Sequence, residues 1–314
     1  MLQQRIGNFS LVAPLPSHGV ASRVYTARHH NDTASAETPA YFVKLLLPAP
    51  GEAAEHLRAQ FDHEIALLSA FNHPAIPSVH EEGVADGIRY IVMDYIEGVD
   101  LATLLGHHEN SPRGLSKEIA VYIMGQLADA LRYVHGFAHL DRETGVETPL
   151  GLVHRDIAPS NVVLSRHGDV LLVDYNSAHG RWLATEHDMS QTGQKAYMAP
   201  ERIIGTTDAT PLSDLFSMAV ILWEMLKGQR CFKADTELKT MDAIVRFDIS
   251  HSGRRVTGLS SKLSEIVRKN LDRDPSRRYT GAYQMLQRLA QSPEARSAEQ
   301  ARAELAAMVV AAAG

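Results

Sequence analysis

The apolar pattern changes character near Gly98, and that change restricts the fold more than any other feature of the chain. Before it, apolar residues alternate or cluster in short β-rich runs: FSLVAPL, SRVYTARHH, AYFVKLLL and IRYIVMDYI. A period of two puts one face of each run on a core. One segment among them has a different period. In EAAEHLRAQFDHEIALLSAF, Leu57, Phe61, Ile65 and Leu68 recur at helical spacing, which gives a helix with one apolar stripe. After Gly98 helices take over. SKEIAVYIMGQLADALRYVHGFA reads as an amphipathic helix with Ser116 at the N-cap. VVLS and DVLLVDY are short strands joined by a turn at RHGD. Further helices are expected at LSDLFSMAVILWEMLKG, LSSKLSEIVRKNL and TGAYQMLQRLA.

The expectation is an α+β, bilobal chain. A small β-rich N-lobe with one main helix covers 1–94, and a larger α-helical C-lobe covers 95–292. An Ala-rich C-terminal tail or linker, helical or frayed, covers 293–314. HHNDTASAETP reads as a polar hairpin loop and DRETGVETPLG as an inserted loop.

Composition narrows the function classes. Of 314 residues, 45% are apolar and 22% charged, which suits a substantial core and excludes a disordered chain. The net charge of −6, with no Lys/Arg run, argues against a nucleic-acid binder. The single cysteine, Cys231, allows no internal disulfide and fits a reducing compartment. MLQQRIGNFS is too polar for a secretory signal. No apolar run reaches the roughly 20 residues of a membrane span. A cytoplasmic location is expected.

Several motifs stand in order along the chain: AYFVK with Lys44, FDHEIALL with Glu64, HRDIAPSN with Asp156 and Asn161, LLVDYN with Asp174, and MAPER with Glu201. With them the chain resembles a eukaryotic-like protein kinase of the kind also found in bacteria, over about residues 8 to 292. The resemblance implies ATP and Mg2+ as cofactors and protein substrates as partners. Lys44 would hold the α- and β-phosphates, ion-paired to Glu64. Asp156 would accept, or orient, the proton of the substrate hydroxyl. Asn161 and Asp174 would bind magnesium through oxygens suited to a hard cation. Gly19, Ser22 and Val24 would cover the nucleotide, with Val163 also at its site. Met93 would guard the back of the adenine pocket. The backbones of Asp94 and Ile96 would meet the adenine edge, and Asp100 would reach the ribose. Glu201 would pair with Arg278, and Asp214 would bond the backbone of the HRD loop. The implied activity is transfer of the γ-phosphoryl group to Ser/Thr hydroxyls, autophosphorylation included. The alternative is a pseudokinase serving as a regulatory binding or scaffold module.

Five departures from the family pattern matter. The glycine-rich loop is reduced to SHGVASRV, with only Gly19 kept. Phe42 stands where the family has a small residue above the adenine ring. Ala158 replaces the loop Lys that steadies the γ-phosphate. Gln194 replaces a Thr that bonds both that Lys and the catalytic Asp, so its amide is expected to reach Asp156 or the phosphate, with Lys195 as a second donor. The metal motif reads DYN, and Asn176 is expected to tolerate the positive φ of the usual Gly. Arg155 is expected to hold a phosphorylated segment, with Ser190, Thr192 and Thr185 as the phosphosites.

Overall fold

The computed structural model describes residues 5–16, 22–31, 39–48, 51–107, 113–140, 144–180, 194–206, 208–249 and 257–313. They form two compact units, Met1–Glu97 and Gly98–Gly314.

The first unit holds strands β1 (Arg5–Ile6), β2 (Phe9–Leu15), β3 (Ser22–His29) and β4 (Tyr41–Leu46), helix α1 (Glu52–Ala70), and strands β5 (Val79–Ala85) and β6 (Ile88–Asp94). The strands form one antiparallel sheet in the order β1-β2-β3-β4-β6-β5. Alternation sorts its faces. Ala27, Val43, Leu45, Tyr90 and Val92 are buried with Ile6 and Phe9 in one cluster. Phe9 lies edge-on to Tyr41 at 4.9 Å. The neighbours of those residues along each strand point to the other face. Strand β5 was not expected, because HEEG carries too little apolar signal. Its Glu81 instead accepts hydrogen bonds from Tyr90 Oη at 2.7 Å and Asn8 Nδ2 at 2.8 Å.

The second unit begins with β7 (Gly98–Asp100), α2 (Leu101–Leu104) and α3 (Lys117–His135). The Ser116 side chain caps α3, accepting from Ile119 N at 3.2 Å. Then come β8 (Ala138–Leu140), β9 (Glu147–Pro149), β10 (Val162–Ser165) and β11 (Val170–Leu172). β8 and β9 pair as a small hairpin where the sequence reads only as an inserted loop. β11, β10 and β7 form a three-stranded sheet. Helices α4 (Pro200–Ile204), α5 (Pro211–Lys227), α6 (Glu237–Val245), α7 (Ser261–Asn270), α8 (Ala282–Ala290) and α9 (Ala298–Ala313) complete the unit.

Helix α5 is the axis of this unit. Thr210 and Ser213 form a capping box at its start, and every residue from Ser213 to Met225 is buried. Full burial of each large apolar side chain there contributes about 1.5–3 kcal/mol. The helix stops at Gly228, in the left-handed region at φ 61°. A Cβ there would also sit 2.5 Å from Gly114 N, so only glycine fits.

The Ala-rich tail is neither frayed nor a free linker. It is helix α9, with Ala301, Leu305 and Val309 buried against α3, α2, β7 and β10. Arg302 pairs with Asp169 at 2.6 Å and donates to the His167 carbonyl at 3.2 Å, both at the β10–β11 turn. Among the described residues, no helix is long and apolar enough to cross a membrane.

Candidate active site

In the first unit the site is built on one face of the sheet. Registers place Val24, Lys44 and Ile91 in one row across β3, β4 and β6, and Thr26, Phe42 and Met93 in the next. Residues two apart on a strand share a face, so Phe42 stands on the same face as Lys44. It does not turn toward the Val43–Leu45 cluster. Lys44 Nζ donates to both oxygens of Glu64, at 2.8 and 2.7 Å. Phe61, Ile65 and Leu68 bury the α1 stripe, and this fixes Glu64, 2% exposed, toward the sheet. The expected ion pair is therefore formed.

Met93 is buried at the end of β6. Asp94 is held locally. Its carboxylate accepts from Ser78 N at 2.9 Å and meets His80 Nε2 at 2.6 Å. Burial alone would raise its pKa, but the bonds from His80 and Ser78 hold it below the usual range. Its N–H donates to the Ser78 carbonyl at 3.1 Å, so its carbonyl is the backbone group suited to a base edge. Ser22 opens β3, and Ile96 follows β6 in the connecting segment. Gly19 lies outside the described residues.

In the second unit, Asp100 and Val163 face each other across β7 and β10. One Asp100 oxygen is engaged as the α2 cap, accepting from Thr103 N at 2.6 Å. The loop between β9 and β10 carries Asp156 and Asn161. His154 N and Arg155 N donate to the Asp214 carboxylate at 2.9 and 3.0 Å, and His135 Nε2 lies 2.8 Å from it. Burial would raise the Asp214 pKa, but these partners hold it below the usual carboxylate value. Asp214, 1% exposed, thus ties the loop to α5 as expected.

Asp156 has both oxygens engaged. Oδ1 accepts from the Gln194 backbone N–H at 2.9 Å, and Oδ2 accepts from Asn161 Nδ2 at 2.8 Å. Asn161 Nδ2 also donates to the Asp156 carbonyl at 2.8 Å. Asn161 thus closes the loop with its nitrogen and keeps its amide oxygen as the atom suited to a cation. Asp174 directly follows Val173, whose N–H bonds the Asn161 carbonyl at 3.0 Å. An amide oxygen and a carboxylate are the donor types magnesium takes, and one backbone bond holds the two chain segments that carry them side by side, so these residues fit the ion by type.

Two expectations about the departures change. The amide of Gln194 does not reach Asp156. Its backbone N–H does, and the side-chain Nε2 donates to Ser160 Oγ instead. The amide thus grips the loop two residues after Ala158. Positive φ falls on Asp174, at 65°, and not on Asn176. Asn176 Oδ1 accepts from Ser177 Oγ at 3.0 Å. Tyr175 is fully buried, edge-on to His154 at 4.7 Å. Lys195 is partly buried, and burial lowers its pKa against the pull of Glu237 and Asp156. Ser190, Thr192 and Thr185 lie outside the described residues.

Glu201 and Arg278 form the expected buried pair, with two bonds of 2.8 Å. Sequence reasoning missed Arg202, whose Nη1 donates to the Arg155 carbonyl at 2.7 Å. It also missed His135, Ser160 and the buried pair Tyr197 Oη–Glu224 at 2.9 Å. No spacing rule announces such contacts, because each joins segments far apart in sequence.

A family model for the protein kinase domain matches residues 18–290. The chain belongs to the protein kinase domain family. This kinase domain is 31% identical over 236 residues to the serine/threonine-protein kinase PknB of Mycolicibacterium smegmatis, covering 72% of this chain and 34% of that protein. PknB of Mycobacterium tuberculosis gives the same identity and coverage. The tyrosine-protein kinase MasK of Myxococcus xanthus is 30% identical over 224 residues, covering 71% of this chain and 34% of that protein. The chain therefore spans about a third of the length of these curated relatives. The family match bears out the bilobal α+β kinase fold and the bacterial serine/threonine-kinase resemblance.

Proposed function

We propose that this kinase domain transfers the γ-phosphoryl group of ATP to Ser/Thr hydroxyls of protein substrates, its own chain included, with Mg2+ as cofactor. The observation that carries the reading is the placement of Asp156. Its carboxylate is held at both oxygens, on a loop anchored to α5. A carboxylate so fixed aims a substrate hydroxyl and takes its proton as that oxygen bonds to phosphorus and the bond to the ADP oxygen breaks. Lys44, fixed by Glu64, holds the phosphate oxygens. Asn161 and Asp174 hold magnesium, which neutralises charge on the transferred group. Val24, Met93 and Val163 contact the base, the Asp94 carbonyl and Ile96 N–H bond its edge, and Asp100 bonds the ribose. Gly19 and Ser22 cover the phosphates. We assign the activity to the cytoplasm, where ATP is present and buried Cys231 stays a thiol.

The relatives named above carry kinase names, and none of them lends support to the pseudokinase alternative. The test is intact mass after incubation with ATP and magnesium, wild type beside Asp156→Asn, together with an unrelated acceptor protein. Phosphoryl addition in the wild type, reduced by about 10²–10⁴ in the variant, is expected. Equal addition in both, or none to either acceptor with no ATP-dependent thermal shift, would refute the reading.

A further inference from the structure

The catalytic loop has no cation of its own at Ala158, which is fully buried. A different cation reaches the same loop from α4. Arg202 is 8% exposed, and its guanidinium bonds the Arg155 carbonyl. Arg155 has φ 71°, a conformation that non-glycine residues hold only when the surroundings impose it. The surroundings do so from both sides. Asp214 takes its N–H and Arg202 takes its carbonyl. The next residue is Asp156. Burial holds the Arg202 pKa below its ordinary value against the carboxylates of Asp214, Asp156 and Glu201, yet a guanidinium stays charged in proteins. Arg202 follows Glu201, which Arg278 anchors, so its helix is fixed.

We propose that Arg202 is a positioning residue for phosphoryl transfer: it clamps the strained Arg155–Asp156 step and brings a permanent positive charge to the peptide that leads into Asp156, in a loop that lacks one at Ala158. The proposal rests on Asp156 acting as described above. It also means that the charge arrives with α4, so catalysis depends on the segment from Gln194 to Arg202 being in place.

The test compares wild type, Arg202→Gln, Arg202→Lys and Arg202→Gln combined with Ala158→Lys. Two measurements are made on each: deuterium uptake of the peptide spanning 151–162, and kcat and KM for ATP. In Arg202→Gln, uptake of this peptide rises while α5 stays protected. There kcat falls about 10- to 100-fold with KM for ATP within about twofold, because the lost contact acts on the transition state. Adding Ala158→Lys restores most of kcat without restoring the protection. Unchanged uptake in Arg202→Gln would overturn the clamp. Failure of Ala158→Lys to raise kcat would overturn the charge role. If Arg202→Gln also loses the protection of α5, Arg202→Lys decides. It should loosen the loop yet keep kcat within about tenfold of wild type. A loss as deep as that of Asp156→Asn would refute the charge role. A silent wild type would refute the kinase reading instead, and uptake alone would then decide the clamp.

Discussion

Among the described residues, each unit has a buried pair between a Lys or Arg and a Glu at bonding distances of 2.7–2.8 Å, and the two are built differently. Lys44–Glu64 joins a compact, rotatable ammonium to a helix carboxylate, with the Lys side chain 13% exposed. Glu201–Arg278 joins a rigid fork to a carboxylate, with the Arg side chain 0% exposed. Arg278 also donates to the carbonyls of Leu212 and Asp272 at 2.9 Å, and Ser213 Oγ donates to Glu201 at 2.9 Å. The second pair is saturated on both sides and lies over the Phe216 ring at 5.0 Å. The first is an accessible charge held in aim. Equal distances therefore go with different surroundings; on the function proposed above, one pair holds structure and the other presents a cation.

The comparison breaks most clearly at Arg278. Arg278→Ala leaves Glu201 buried without its cation, which should cost about 3–5 kcal/mol. The drop in denaturation midpoint measures it, and a loss below 1 kcal/mol would mean that the pair is no strut. Lys44→Met strands a carboxylate as well, Glu64 at 2% exposed, so a stability loss of similar size is expected. Activity separates the two variants: per folded molecule we expect kcat/KM to fall about 10²–10³-fold in Lys44→Met and to stay within about tenfold of wild type in Arg278→Ala. Equal falls in kcat/KM would erase the distinction.

Phe42→Ala sharpens the account of the first unit. The ring shares the face of Lys44, so its removal should tighten binding of a non-hydrolysable ATP analogue about tenfold, or about 1.4 kcal/mol. Calorimetric titration checks this, and unchanged affinity would show that the ring stays clear of the base.

Glu224 provides the smallest effect. Burial raises its pKa, against Arg230 and the bonds from Cys231 N and Tyr197. The folded chain holds this proton more tightly than the unfolded chain, so folding is favoured at low pH. That favour is lost as pH rises from the ordinary value of 4.5 through the raised one. Glu224→Gln should therefore remove a pH dependence of about 1 kcal/mol or less. Melting curves from pH 4 to 8 that stay parallel for wild type and variant would contradict this.

Local signals carried much of the fold. Ser116 capped its helix as its residue type demands, and the alternation in β4 located its buried face. The two ion pairs and the Asp214 anchor were legible through the family resemblance that the ordered motifs carry. What escaped was contact between distant segments. Nothing in the sequence separates the Gln194 backbone from its amide as the partner of Asp156. The choice depends on where the chain runs, and Ser160 captures the amide. Asn176 misled because the residue type suits positive φ, whereas the turn places that conformation on Asp174. Short elements such as α4 and β5 bury too few apolar residues to announce themselves.

Gly168 has a consequence that reaches the far end of the chain. Its φ is 79°, and a Cβ there would lie 2.4 Å from the Arg302 carbonyl oxygen. Its own carbonyl accepts from Tyr122 Oη at 3.0 Å. The turn after β10 and the last helix are therefore shaped to one another, atom against atom. The stretch matched by the family ends at residue 290, but the packed body continues through α9. Any side chain at position 168 would drive α9 off the turn, so the turn and the helix can change only together.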